Sequence, residues 1–197
     1  MSNPTPSSIN TPFTQLILDF KGKELPSDQI ESDYNNTLNH PNNYFVAPKK
    51  WNESFYSTSR KNMLLLSRGI ENIVWAKPPF NKFTLVSLFQ RNSNFNAVKE
   101  QYITISQLSK KLYLIGDRDL ASGVDLPNTT DIIDSNGSGL EKNWIVMALA
   151  EDEGCALVAE EVQPGKYRGF FTNNQNLVIR SLNILNDLLP ISEKMGA

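Results

Sequence analysis

Residues 83–116 read FTLVSLFQRNSNFNAVKEQYITISQLSKKLYLIG, and how this stretch is parsed decides the fold. The run from Phe83 to Phe89 is largely apolar and predicts a buried strand, which ends on the polar pair Gln90-Arg91. Asn94 is a residue type that caps helices. After it, Phe95, Val98, Tyr102, Ile105 and Leu108 fall on one helical face, and Lys110 and Lys111 suit the negative end of the helix dipole. LYLIG at 112–116 is a short buried strand stopped by Gly116. Strand, helix, strand with the helix as crossover predicts a parallel pair.

Working outward from this unit, Met63, Leu66, Ile70 and Ile73 recur at spacings of three and four, which predicts a helix of about four turns. Lys77-Pro78-Pro79 stops that helix and leads into the strand. Residues 117–142 are polar, carry Pro127 and the NGSG of 136–139, and read as a long loop. Three strands are expected after it. Trp144–Ala150 and Cys155–Val162 are separated by EDEG, and Tyr167–Thr172 follows through QPGK, whose Pro164-Gly165 order suits a type II turn. They predict an antiparallel meander. A last helix from about Gln175 to Leu189 carries Val178, Leu182, Leu185 and Leu189 on one stripe.

The fold class expected is therefore α+β: a mixed sheet of about five strands, made of a parallel pair plus a C-terminal antiparallel meander, with helices packed on it. Residues 1–12 read as a disordered tail and residues 13–56 as an N-terminal extension or arm. Within that arm PFTQLILDFKG could be helix or strand, and Tyr34, Tyr44, Phe45 and Trp51 could pack. The main domain spans 57–190, and 191–197 is a frayed tail.

Composition narrows the function. The chain has 197 residues with 40% hydrophobic, enough to bury a core as one domain. Its 19 basic and 21 acidic residues nearly cancel, so there is no electrostatic footprint for a nucleic-acid backbone. No stretch approaches the length of a membrane span or a signal peptide, and the single Cys155 forms no internal disulfide, which points to a cytoplasmic setting.

No catalytic or metal residues are expected. His40, the only histidine, precedes Pro41 in an Asn-rich segment and reads as a solvated loop residue. One His and one Cys cannot supply a four-ligand zinc site. Cys155 reads as a small core residue, GSG at 137–139 lacks the lysine of a phosphate-binding loop, and Glu151-Asp152-Glu153 reads as a charged hairpin turn. The cofactor is left open.

What remains is a set of polar and aromatic groups at strand ends: Gln90, Arg91, Tyr102, Trp144, Glu160 and Arg168. If the parallel pair and the meander share one sheet, these six could converge as a ligand- or partner-binding rim. Glu160 closes an apolar run, so its carboxylate needs a cation such as Arg91 or Arg168 to offset desolvation, either as a strand-tying salt bridge or as part of a cleft.

The order LVSLFQ with Gln90-Arg91, Phe95, Tyr102, LYLIG, NWIVMALA, CALVAEE and FFTNNQNLV resembles the DICT domain, a sensory domain found beside diguanylate cyclases and two-component proteins. The resemblance covers about 57–189. Asn173 departs from the acid the family tends to carry at that turn, and residues before 57 match nothing in it. The resemblance implies signal reception without catalysis. The signal would be a small molecule or light-related, passed to a histidine kinase, a diguanylate cyclase or a response regulator. The alternative is a ligand-free adaptor docking on such a partner. A homodimer is left open, and neither nucleic acid nor membrane is an expected partner.

Overall fold

The structure is a computed structural model and describes residues 10–38, 45–76, 80–191 and 194–195. In chain order its elements are α1 (Thr14–Asp19), β1 (Lys23–Glu24), α2 (Ser27–Leu38), a 3-10 turn (Lys49–Trp51), β2 (Ser54–Ser59), α3 (Arg60–Glu71), α4 (Ile73–Ala76) and β3 (Thr84–Leu88). There follow α5 (Asn92–Asn96), α6 (Lys99–Leu108), β4 (Lys111–Gly116), β5 (Thr130–Asp134), β6 (Asn143–Leu149), β7 (Gly154–Gln163), β8 (Lys166–Thr172) and α7 (Gln175–Leu188).

β3 and β4 pair in parallel, from Thr84 opposite Lys111 to Leu88 opposite Ile115, so the strand–helix–strand reading holds. The crossover is two helices, because the chain turns at Ala97-Val98 between α5 and α6. Asn94 is not the cap: α5 starts at Asn92 with Arg91 in the N-cap position, and Asn94 Oδ1 instead accepts from Arg60 Nη2 at 2.6 Å. β6, β7 and β8 form the expected antiparallel meander, and Gly165 takes the positive φ of 72° that its turn requires.

The fold is α+β with a mixed sheet, but the sheet has eight strands rather than five, in the order β1-β2-β8-β7-β6-β3-β4-β5. β5 adds a third parallel strand beside β4, inside the stretch expected as loop. β2 pairs antiparallel with β8, and the two-residue β1 joins β2 in parallel. These three lacked the apolar run of a core strand. SFYSTS carries hydroxyls at four of six positions besides its tyrosine, and three of the five residues of TDIID are polar and lie toward solvent at the sheet's rim.

Alternation along the strands sorts side chains onto two faces. Leu85, Leu112, Leu114, Val146, Leu157 and Phe171 meet the helices α2 to α6 on one face. Val86, Ile115, Ile145, Met147, Val158 and Phe170 meet α1 and α7 on the other. Met63, Leu66 and Ile70 of α3 are fully buried, as are Val178 and Leu185 of α7, so both predicted stripes face the sheet. The break at Asn72 makes α3 and α4 separate helices where one was expected.

The described residues near both ends belong to the fold. PFTQLILDFKG becomes the short helix α1, whose Leu16 and Ile17 pack under the sheet, while Phe20 stacks on Phe170 with ring centroids 4.6 Å apart. Phe45 and Trp51 of the supposed arm are core residues, Tyr34 packs on them, and Trp51 Nε1 donates to the buried Asp33 at 2.8 Å. Thr11 is 8% exposed and Pro12 half-buried, so these two residues are not part of a loose tail. Nor does a frayed tail begin at 191, for Met195 is buried and its backbone bonds the Asn186 amide in both directions. His40, Tyr44 and the Lys77-Pro78-Pro79 stop lie outside the described residues.

Candidate functional site

The six residues expected to form a rim lie toward one end of the sheet but divide between its faces. Gln90 follows β3, Trp144 is the second residue of β6, and Tyr102 reaches them from α6, all on the α3 side. Glu160 ends the apolar part of β7 and Arg168 lies directly across on β8, both on the α1 side. Arg91 is exposed at the start of α5.

On the α3 side, Tyr102 donates to Glu71 Oε1 at 2.7 Å and lies 2.8 Å from Ser87 Oγ. Glu71 also receives Gln101 and Arg68, each at 2.9 Å. Burial pushes the Tyr102 phenol well above its ordinary value, and the Glu71 charge pushes the same way. Trp144 donates to Ser67 Oγ at 2.9 Å, stacks edge-on against Tyr167 at 5.5 Å, and has the Arg60 guanidinium 5.8 Å from its ring centroid. Gln90 Oε1 lies 3.4 Å from the Tyr167 hydroxyl, and its buried Nε2 has no hydrogen-bond partner among the described residues. The cavity among Glu71, Ser87, Gln90, Tyr102 and Trp144 holds about 30 Å³, room for a single water and no larger ligand.

On the α1 side, Glu160 is fully buried. Arg168 donates to its Oε1 through Nε at 2.7 Å and Nη2 at 2.6 Å. Thr11 donates to Oε2 at 2.9 Å and Thr14 donates there as well. The cation Glu160 requires is thus Arg168 and not Arg91, and the pair also fastens the N-terminal segment to the sheet.

A larger opening lies at the opposite end of the sheet, where β3 and β7 begin and β8 ends. This cleft of about 720 Å³ falls within the size range of small-molecule sites. Phe83, Phe171 and Ile73 form an apolar floor. Val46, Ala47 and Gly69 close one wall and the 152–155 hairpin the other. Gly69 allows this wall to form: a Cβ there would sit 3.0 Å from Ala47 Cβ, and Ala47 N–H donates to the Gly69 carbonyl at 2.9 Å. Lys49, Asn52, Asn173 and Gln175 supply the polar rim.

Lys82 bonds Glu153 at 2.9 Å and Asp152 at 3.1 Å. Those bonds, Glu153's first, hold its ammonium above the usual lysine value. Cys155 is half-buried, packs against the core on the α3 side and also lines the cleft. None of the six rim residues touches this opening. Its lining comes from five separate stretches of chain, and none of them carries a local motif that could have announced it.

Among the described residues no three His, Cys, Asp or Glu side chains are placed to hold a metal ion, and no helix is long and apolar enough to cross a membrane. No curated protein matches the chain. Residues 46–162, which carry β2 through β6, all but the last residue of β7 and most of the cleft, match the family model described as the sensory domain in diguanylate cyclases and two-component systems, and the chain belongs to this DICT family.

Proposed function

We propose that this chain is a non-catalytic receiving module of bacterial signal transduction that takes a small molecule into the cleft between α3 and the β6–β7 hairpin. The state of that cleft is then passed to a partner: a histidine kinase, a diguanylate cyclase or a response regulator. The carrying observation is the cleft itself, about 720 Å³ with an apolar floor and a sparse polar rim, in a chain whose family is sensory.

In this reading Gln90, Arg91, Tyr102 and Trp144 lie away from the ligand, and Arg91 faces outward where a partner can reach it. α3 touches both regions, through Gly69 in the cleft and Ser67 and Glu71 beneath Trp144 and Tyr102. Glu160 and Arg168 hold the N-terminal segment. A ligand-free adaptor is the second reading, and the exposed Leu18 of α1, Ile179 of α7 and Phe55 of β2 favour it as apolar contact points.

Native mass spectrometry and absorbance spectra of the protein purified from its own host separate the two. Excess mass or a visible band supports ligand reception. A bare chain that copurifies with a signalling protein supports the adaptor and overturns the ligand reading.

A further inference from the structure

Away from the cleft, the outer side of α7 carries a pattern that complements itself. The charged residues of this fourteen-residue helix are Arg180 and Asp187, and both are exposed. Neither has an ion-pair partner among the described residues, whereas the equally exposed Lys61 of α3 is bound to Glu31 at 2.7 Å. Arg180 and Asp187 stand seven residues apart, close to two full turns, so they share one side of the helix. Beside them run Leu177, Ile184 and Leu188, an apolar stripe at spacings of seven and four. Leu177 and Ile184 rest half-buried against the core, and Leu188 is 37% exposed. The contact that holds Met195 is made by Asn186, more than half a turn round the helix from Ile184, so it lies on the other flank.

We propose that this side of α7 docks a second copy of the same chain, with the two α7 helices antiparallel. A two-fold axis passing between Asn183 and Ile184 sets Arg180 of one copy against Asp187 of the partner subunit, and by symmetry does so twice. Ile184 meets its own counterpart beside the axis. A parallel pairing would set Arg180 against Arg180 and Asp187 against Asp187, so the signs of the charges select the antiparallel one. A helix of this length offers a strip about 21 Å long and about 10 Å wide, smaller than the roughly 800 Å² per partner of a standard interface. The association is therefore weak and reversible, and it falls with rising salt.

Sedimentation equilibrium of the full chain over a concentration series tests the pairing. The parent should follow a monomer–dimer equilibrium. Arg180→Asp and Asp187→Arg should each weaken it about tenfold or more, because two exposed ion pairs become two like-charge contacts. Both positions are exposed, so the melting temperatures should stay at the parent's. The double variant Arg180→Asp/Asp187→Arg should dimerise as the parent does. An equal mixture of the two single variants should also associate, since each supplies the sign that the other has lost. A parent that stays monomeric throughout the series overturns the proposal. A dimer whose constant is unchanged in both single variants places the interface on another face and overturns it as well. A double variant or a mixture no tighter than the single variants alone rules out the antiparallel pairing.

Discussion

Replacing Arg168 by Met would remove two hydrogen bonds from a carboxylate with no access to water. Glu160 is 0% exposed while the Arg168 side chain is 35% exposed, so the acid depends on the pair far more than the base does. In Arg168→Met, Oε1 loses both guanidinium contacts, at 2.7 and 2.6 Å, and Oε2 keeps only the Thr11 and Thr14 hydroxyls. Stranding one partner of a buried pair costs roughly 3–5 kcal/mol. Water reaching the place the guanidinium vacates puts the expectation near the lower end, about 3 kcal/mol. That is a large share of a domain stability of roughly 5–15 kcal/mol.

The companion change is Glu160→Gln, which removes the charge and keeps an acceptor for the two threonines. The double variant should therefore recover most of the loss, ending about 1 kcal/mol below the parent, since a buried ion pair can be replaced at little net cost. Urea titration reads this as a shift of midpoint at constant slope. A loss below about 1 kcal/mol in Arg168→Met would refute the reasoning, as would a double variant no more stable than Arg168→Met alone.

Three further outcomes rest on the same packing. Leu185→Ala truncates a fully buried side chain of α7 and should cost about 2–5 kcal/mol by denaturant titration; a loss under about 1 kcal/mol would mean the stripe does not pack on the sheet. Deleting residues 1–12 takes away the Thr11 hydroxyl, which bonds both Glu160 and Asn143, and should lower stability by about 1–3 kcal/mol; an unchanged melting temperature would show that this end carries no load.

Tyr102→Phe should cost about 1–3 kcal/mol near neutral pH through its lost bonds to Glu71 and Ser87. It should also change the alkaline limb. The folded Tyr102 keeps its proton above the ordinary value of 10.0, so its contribution is intact below that pH and is lost as pH rises through the raised folded value. Each such tyrosine steepens the decline by about 1.4 kcal/mol per pH unit, and the variant should decline less steeply in denaturant titrations above about pH 10. Equal slopes would contradict the burial of the phenol.

Residues 83–116 were enough to place β3 and β4 side by side, because a strand must alternate or run apolar, a helix must repeat at three and four, and a crossover between two such strands makes them parallel. The meander and the α7 stripe were legible for the same reason, as was the family. β1, β2 and β5 were not. Ser54–Ser59 is a strand because β8 offers it a hydrogen-bonding edge, and nothing local in a run of serines and threonines says so.

The site divides along the same line. That Glu160 needed a cation was clear from a carboxylate ending an apolar run, but the choice of Arg168 over Arg91 came from the β7–β8 register, which sets Glu160 across from Arg168 on one face and leaves Arg91 at the start of a helix beyond β3. The split of Trp144 from Glu160 and Arg168 was decided by the parity of positions along paired strands, since neighbours at the same end of a sheet point to opposite faces. The cleft was invisible beforehand because Val46, Gly69, Phe83, Cys155 and Phe171 share no spacing in sequence. A cavity is the space that packed elements fail to fill, and only the tertiary structure determines where that space is left.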